Sequence, residues 1–156
     1  MKTDYVQPFV SSTVSVFSTM LGCELVPGEV TGTDRPTPHD LSGVIGLSGN
    51  ATGVVIVHMN KQTAINATGA MLGSKPAEIN EDVIDVVGEL TNMIAGGAKA
   101  QLSQLFSNLA LPMVLVGKDC EVEFCKKVQP LCIPFSSPWG PLSVEVEVKE
   151  DPRLTA

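Results

Sequence analysis

Asp85, Glu89 and Asn92 stand four and then three residues apart in the run EDVIDVVGELTNMIAGGAKAQLSQLF, residues 81–106. Those are the two spacings that make side chains neighbours on one face of a helix. A carboxylate beside an uncharged amide suits a particular task. The amide can donate to and accept from a water without repelling an anionic phosphoryl group, so it can hold that water in line for attack. The carboxylate would be repelled by the phosphoryl group itself and fits better as the partner of a lysine or arginine beside it. Phosphate, metal and lysine would then belong to a second protein, and this helix would supply the missing pieces. A glycosidase dyad needs two acids on opposing walls of a cleft, which adjacent acids on one helix do not make. Metal binding by Asp85 and Glu89 would want further oxygen ligands that the sequence does not offer, so no metal site is expected. A solvated helix face carries the same residue types, so the spacing alone also fits a structural role.

The element that must position these groups is one long helix over residues 81–106. At about 100° per residue, Asp85, Glu89, Asn92, Gly96, Lys99 and Ser103 share a narrow stripe, with Gly88 at its edge. Val83, Val87, Leu90, Ile94, Ala98, Leu102 and Leu105 form the opposite, core-facing stripe. Glycine inside a helix costs roughly 0.5–1 kcal/mol relative to alanine. Gly88 and Gly96 bear that cost on the polar side, which fits another molecule lying close against it. Asp85, Gly88, Gly96 and Lys99 are therefore expected partner contacts around Glu89 and Asn92. Asn80 is the expected cap, followed by Glu81 and Asp82, whose charges favour a helix N-terminus.

The remaining elements follow from periodicity and punctuation. Residues 1–22 read as an amphipathic helix capped by Thr3 or Asp4 and stopped by Gly22. Residues 23–40 read as a strand and a turn-rich connection. Residues 41–59 read as a hairpin about Ser48-Gly49-Asn50-Ala51, with Val54 to Val57 in a central strand. A shorter helix over 61–73 ends at Gly73. Strands are expected at 111–116, 120–125, 128–134 and 142–149. The alternation in SVEVEVK predicts one sheet face on the core and the other in water. Together these give an α+β domain over residues 1–150, a mainly antiparallel sheet with helices on one face, and a short tail at 151–156.

Composition narrows the function further. The chain has 156 residues, 44% apolar and 4% aromatic, a net charge of −7 and no basic cluster, which argues against nucleic-acid or acidic-membrane partners. No run reaches about 18 apolar residues and the start lacks a signal-peptide pattern, so a cytoplasmic protein is expected. Cys23, Cys120, Cys125 and Cys132 form no CxxC pair and read as reduced thiols. His58 at a strand end and His39 in a loop read as structural or solvent-facing, with no partner motif in register. Gly-rich phosphate loops, HExxH and GxSxG are absent.

The run Asp85-x3-Glu89-x2-Asn92, followed at a distance by Pro112, resembles the signature of the CheC/CheX/FliY family of CheY-phosphate phosphatases. Gln7-Pro8-Phe9-Val10, the segment from Val16 to Gly22 and LSGVIGLSGNATGVVIVHM resemble the CheX branch in particular, and the likeness runs over nearly the whole chain. The resemblance implies hydrolysis of the aspartyl-phosphate of a CheY-like receiver domain. It makes Asn92 the amide that orients the water and Glu89 the acid that engages the receiver's lysine. Mg²⁺ would sit on the receiver, with no cofactor on this chain. The first helix carries no second acid–amide pair, which matches the one-site CheX arrangement. A homodimer is implied as well. Two alternatives use the same face without catalysis: an adaptor that binds a two-component signalling protein, and a dimeric assembly module.

Overall fold

The computed structural model describes residues 5–32, 38–122 and 130–150. In chain order these form α1 (Val6–Leu21), β1 (Val26–Pro27), β2 (Leu41–Gly49), β3 (Ala51–Met59), α2 (Lys61–Leu72), α3 (Glu81–Gln101), β4 (Phe106–Leu109), β5 (Met113–Val116), β6 (Leu131–Ser136) and β7 (Leu142–Glu150). The strands make one antiparallel sheet in the order β1-β6-β7-β3-β2-β4, with β5 pairing the same edge of β2 further along. This is the expected α+β architecture. No described helix is long and apolar enough to cross a membrane.

Alternation along the strands decides where the core lies. Leu41, Ile45 and Leu47 of β2, Val55, Val57 and Met59 of β3, and Leu142, Val144 and Val146 of β7 share one buried cluster. Phe9 and Phe17 of α1, Ala64 and Ala67 of α2, and Val83, Val87, Leu90 and Ile94 of α3 complete it. Burying each of the Val, Leu, Ile, Phe and Met side chains among them contributes about 1.5–3 kcal/mol. β3 sits between β2 and β7 and is paired along its whole length, as its β-branched run predicts.

Punctuation was legible. Gly22 and Gly73 end α1 and α2 with φ of 63° and 80°, a region that favours glycine. Asn60 and Asn80 cap α2 and α3. The hairpin turns at Gly49–Ala51, between the pair Ser48 and Thr52. The caps expected at Thr3 or Asp4 lie outside the described residues, and Tyr5 stands at the N-cap without a side-chain capping bond.

Several boundaries differ from expectation. α3 ends at Gln101 rather than 106. The chain tightens there, with Leu102 N–H donating to Lys99 O, and then Leu105 and Phe106 N–H both donating to Leu102 O. The reason is tertiary. Phe106 leaves the helix to enter β4 against β2, and its ring packs over Gly53, where an added Cβ would sit 3.1 Å from Phe106 Cζ. The expected strand 111–116 is observed as β5, starting at Met113, and β4 is a further strand that was not expected, with Leu111 exposed in the turn between them. Cys120–Val122 is not strand, and the rest of the expected 120–125 strand lies outside the described residues. The strand expected at 23–40 shrinks to Val26–Pro27 and a bridge from Thr31 to Cys132. β7 also departs from its expected wet face, because Ser143 and Glu145 are buried and Glu147 is half-buried.

Candidate functional site

α3 is positioned from both ends and both sides. Asn80 Oδ1 accepts from Val83 N–H at 3.1 Å, and Glu81 and Asp82 follow in the first turn. Val83, Val86, Val87, Leu90, Ile94, Ala95 and Ala98 bury the inner face. Two glycines outside the expected site act as keyways. Gly43 of β2 leaves room for Thr91, whose Oγ1 would lie 1.9 Å from a Cβ at that position. Thr91 is fully buried and donates to Val87 O at 2.7 Å. Gly97 does the same for α1, since an added Cβ would lie 2.3 Å from Ser12 Oγ. Ser12 donates to Ile94 O at 2.7 Å, so α1 bonds to the backbone of α3 where they cross. With Thr91 held by the sheet and Gly97 by α1, the helix cannot rotate about its axis without breaking one contact or the other. That fixes the direction in which Glu89 and Asn92 point.

The expected site residues separate into an outer and an inner set. Asp85 and Glu89 are exposed, while Asn92, Gly96 and Lys99 are half-buried. Among the described residues, no hydrogen bond or ion pair ties the side chains of Asp85, Glu89 or Asn92 to the rest of the chain. Glu89 and Asn92, one turn apart, have Cβ atoms about 5–6 Å from each other on such a helix. Gly88 is buried rather than lying at the open edge of the stripe. A Cβ there would rest 3.5 Å from Val114 Cγ2 of β5, and one at Gly96 would rest 3.8 Å from Leu109 Cδ1 of β4. Both are ordinary contacts, so packing within this chain does not demand glycine at either position. The β4–β5 segment thus crosses α3 between Gly88 and Gly96. Asn92 lies between those glycines both along the helix and around it, and the segment forms a wall beside it.

A second polar cluster lies on the sheet face away from the helices. His58 Nδ1 is 2.7 Å from Ser42 Oγ and Nε2 is 2.5 Å from Glu145 Oε1. The neutral tautomer that fits accepts from the Ser42 hydroxyl and donates to Glu145. His39 packs its ring on His58 at 4.1 Å between centroids, and its Nε2 lies 3.0 Å from Cys120 O. Neither histidine faces solvent, and the partners His58 was expected to lack are supplied across the sheet. Ser42 is its register neighbour on β2, and Glu145 comes from β7. Hydroxyl, imidazole and carboxylate in line are the pattern of an activated nucleophile. Here Ser42 and His58 are fully buried and Glu145 is 5% exposed, so no substrate reaches the hydroxyl. Burial also holds the His58 imidazole below its ordinary range, against the pull of Glu145. The cluster is a satisfied polar layer.

Among the described residues no group of three His, Cys, Asp or Glu side chains could hold a metal ion. Cys23, Cys120 and Cys132 are free thiols. Among the described residues, the outer face of α3 carries functional groups without partners in the chain at productive spacing. An exposed acid and a walled amide on a fixed helix can complete a site brought by another molecule.

Known proteins carry the same frame. Residues 41–136 match the family described as the chemotaxis phosphatase CheX. The CheY-P phosphatase CheX of Thermotoga maritima is 28% identical over 127 residues, covering 79% of this chain and 82% of that one. The crystal structure of chemotaxis protein CheX from Vibrio vulnificus is 34% identical, covers 94% of this chain and 100% of that chain, and superposes with a TM-score of 0.87. CheX of Borrelia burgdorferi, solved in complex with CheY, BeF3 and Mg²⁺, is 23% identical with a TM-score of 0.83, over 96% of this chain and 100% of that one, a likeness of fold. The family match, over more than half of the sequence, places this chain in the CheX family.

Proposed function

We propose that this protein hydrolyses the aspartyl-phosphate of a CheY-like receiver domain, with Glu89 and Asn92 entering the receiver's active site. The observation that carries the reading is the acid–amide pair itself. Among the described residues it has no partner, with Glu89 exposed and Asn92 half-buried on a helix locked in rotation, in a chain of the CheX family. An acyl phosphate already has a good leaving group, so little covalent chemistry is asked of the protein. Water attacks phosphorus in line, the bond to the aspartyl oxygen breaks, and inorganic phosphate leaves with the carboxylate restored. What accelerates this step is positioning of the water. The Asn92 amide does that without adding negative charge, and the β4–β5 wall restricts where it can swing. Glu89 pairs with the receiver's lysine and sets the depth of entry. Mg²⁺ belongs to the receiver, in keeping with the composition of the Borrelia complex. Asp85 and Lys99 would meet the rim of the partner, and Gly96 would let its backbone approach. Gly88, buried beside Val114, would act through the wall. A homodimer working in the cytoplasm is part of the same reading.

The test is phosphate release from phosphorylated receiver domains with wild type, Asn92→Ala and Glu89→Ala in parallel. Asn92→Ala should lose about 10²-fold or more of the acceleration, by analogy with removing one positioned polar group. Circular dichroism should be unchanged, because neither side chain bonds to another of the described residues. If both variants keep the wild-type rate, the assignment is wrong. If a receiver binds and no variant, wild type included, speeds phosphate loss, the face serves an adaptor instead.

A further inference from the structure

The turn between β4 and β5 exposes apolar side chains in a way the rest of the fold does not explain. Leu111 is 90% exposed and Met113 58%, with Pro112 exposed between them. A leucine left in water forgoes about 1.5–3 kcal/mol of burial. Yet the turn is well held. Ala110 N–H donates to Gly46 O at 2.9 Å, Leu109 pairs with Leu47, and Met113 pairs with Val44. It is also held against α3, through Leu109 beside Gly96 and Val114 beside Gly88. Leu111, Pro112 and Met113 lie midway between those two contacts, level with Asn92.

We propose that Leu111-Pro112-Met113 is a preformed docking lip that seats an apolar patch beside the phosphorylation site of the receiver domain. The inference rests on the receiver-directed reading and deepens it. The occupant follows from geometry. A phosphoryl group attacked by a water held on Asn92 lies within two hydrogen-bond lengths of that amide. A folded partner carrying it cannot come that close without its surface passing over a wall that adjoins Asn92. Whatever meets Asn92 also meets Leu111. The acid–amide pair is nearly uniform in the chemistry it offers, whereas the lip offers shape and apolar area, so the lip is the part that discriminates among receivers.

The experiment is steady-state dephosphorylation over a range of phosphorylated receiver concentrations, for wild type, Leu111→Ser, Leu111→Asp and, as a charge control, Leu72→Asp at an exposed position of α2. Sedimentation of each variant runs alongside. Both Leu111 variants should raise KM about ten- to a hundredfold, the loss expected for one well-buried leucine contact, and leave kcat within about twofold. Leu72→Asp should match wild type. A KM unchanged in Leu111→Ser and Leu111→Asp overturns the proposal. So does an unchanged KM with a shifted oligomeric state, which would assign the lip to a second copy of this chain. The two readings fail separately. A raised KM with full activity in Asn92→Ala would keep the lip and remove the chemistry. If wild type dephosphorylates no receiver, both fall together.

Discussion

Replacing Gly97 by alanine reverses a rule, which makes it the sharpest test of how α3 is held. In the middle of a helix, glycine to alanine should stabilise by roughly 0.5–1 kcal/mol. At Gly97 the new Cβ would stand 2.3 Å from Ser12 Oγ and 3.2 Å from Ser12 Cβ. The hydroxyl must swing away, and it then loses its 2.7 Å bond to Ile94 O. Ser12 is buried, so a hydroxyl without a partner there costs about 1–3 kcal/mol. The remaining 3.2 Å approach pushes α1 and α3 apart by a few tenths of an ångström, an overpacking cost of about 1–3 kcal/mol. Set against the propensity gain, Gly97→Ala should destabilise by about 1–5 kcal/mol. Urea unfolding measures it as a lower midpoint at unchanged slope.

The double mutant isolates the cause. With Ser12→Ala the hydroxyl is gone and only the 3.2 Å approach to the Cβ of residue 12 remains, so adding Gly97→Ala should then cost about 0–2.5 kcal/mol. The coupling between the two sites should be about 1–3 kcal/mol, the cost of the stranded hydroxyl. Gly97 lies five residues beyond Asn92, so a displaced helix misplaces the amide, and phosphate release should fall with stability in the single mutant and recover in the double. Stabilisation of 0.5–1 kcal/mol by Gly97→Ala, or additivity of the two substitutions, would refute the keyway and the rotational lock built on it.

Two further predictions concern the buried polar layer and the thiols. His58 is held below its ordinary value by burial, with Glu145 and His39 facing it. Its folded pKa is depressed, so this contribution to stability is fully present above the unfolded value of about 6.5 and is lost as pH falls below it, by at most about 1.4 kcal/mol per pH unit. Stability measured from pH 7 to 5 should decline on this account, and His58→Gln should remove that component of the slope; an identical slope in the variant would reject it. Cys132 is pushed up to about 11 and Cys23 is also raised, both by burial. Neither should react with iodoacetamide at pH 8 in the folded protein, while half-exposed Cys120 should, and native labelling of Cys132 at the Cys120 rate would contradict this.

Periodicity and local punctuation carried much of the fold. The α3 stripe, the caps at Asn60 and Asn80, the stops at Gly22 and Gly73 and the β2–β3 hairpin are local signals, readable within a few residues. The errors cluster where distant segments decide. Phe106 continues the helical stripe in sequence but leaves it for Gly53, fifty-three positions earlier. His58 has no motif beside it because Ser42 and Glu145 reach it across the sheet. Gly43 and Gly97 carry no local mark of their roles, since a keyway is defined by the side chain that fills it. The spacing of Glu89 and Asn92 was visible; the wall beside Asn92 was not, because it depends on where β4 and β5 return.

The arrangement inverts the usual search for an active site. The constellation that most resembles catalytic machinery, Ser42–His58–Glu145, is sealed inside, whereas of the groups given a chemical role Glu89 is exposed and Asn92 half-buried on the outer face of a helix. That is the economical design for completing another protein's site. On the proposed reading, a chain that supplies only a water-holding amide and a cationic-partner acid would need neither metal nor nucleophile, since the receiver would bring the phosphoryl group, the metal and the lysine. It does need rigidity, because an amide misplaced by about 1 Å gives up about 10²-fold in rate. The keyways at Gly43 and Gly97 and the wall from Leu109 to Val114 supply that rigidity from three directions. Substitutions at these inner positions should therefore depress turnover although none of their side chains reaches the substrate.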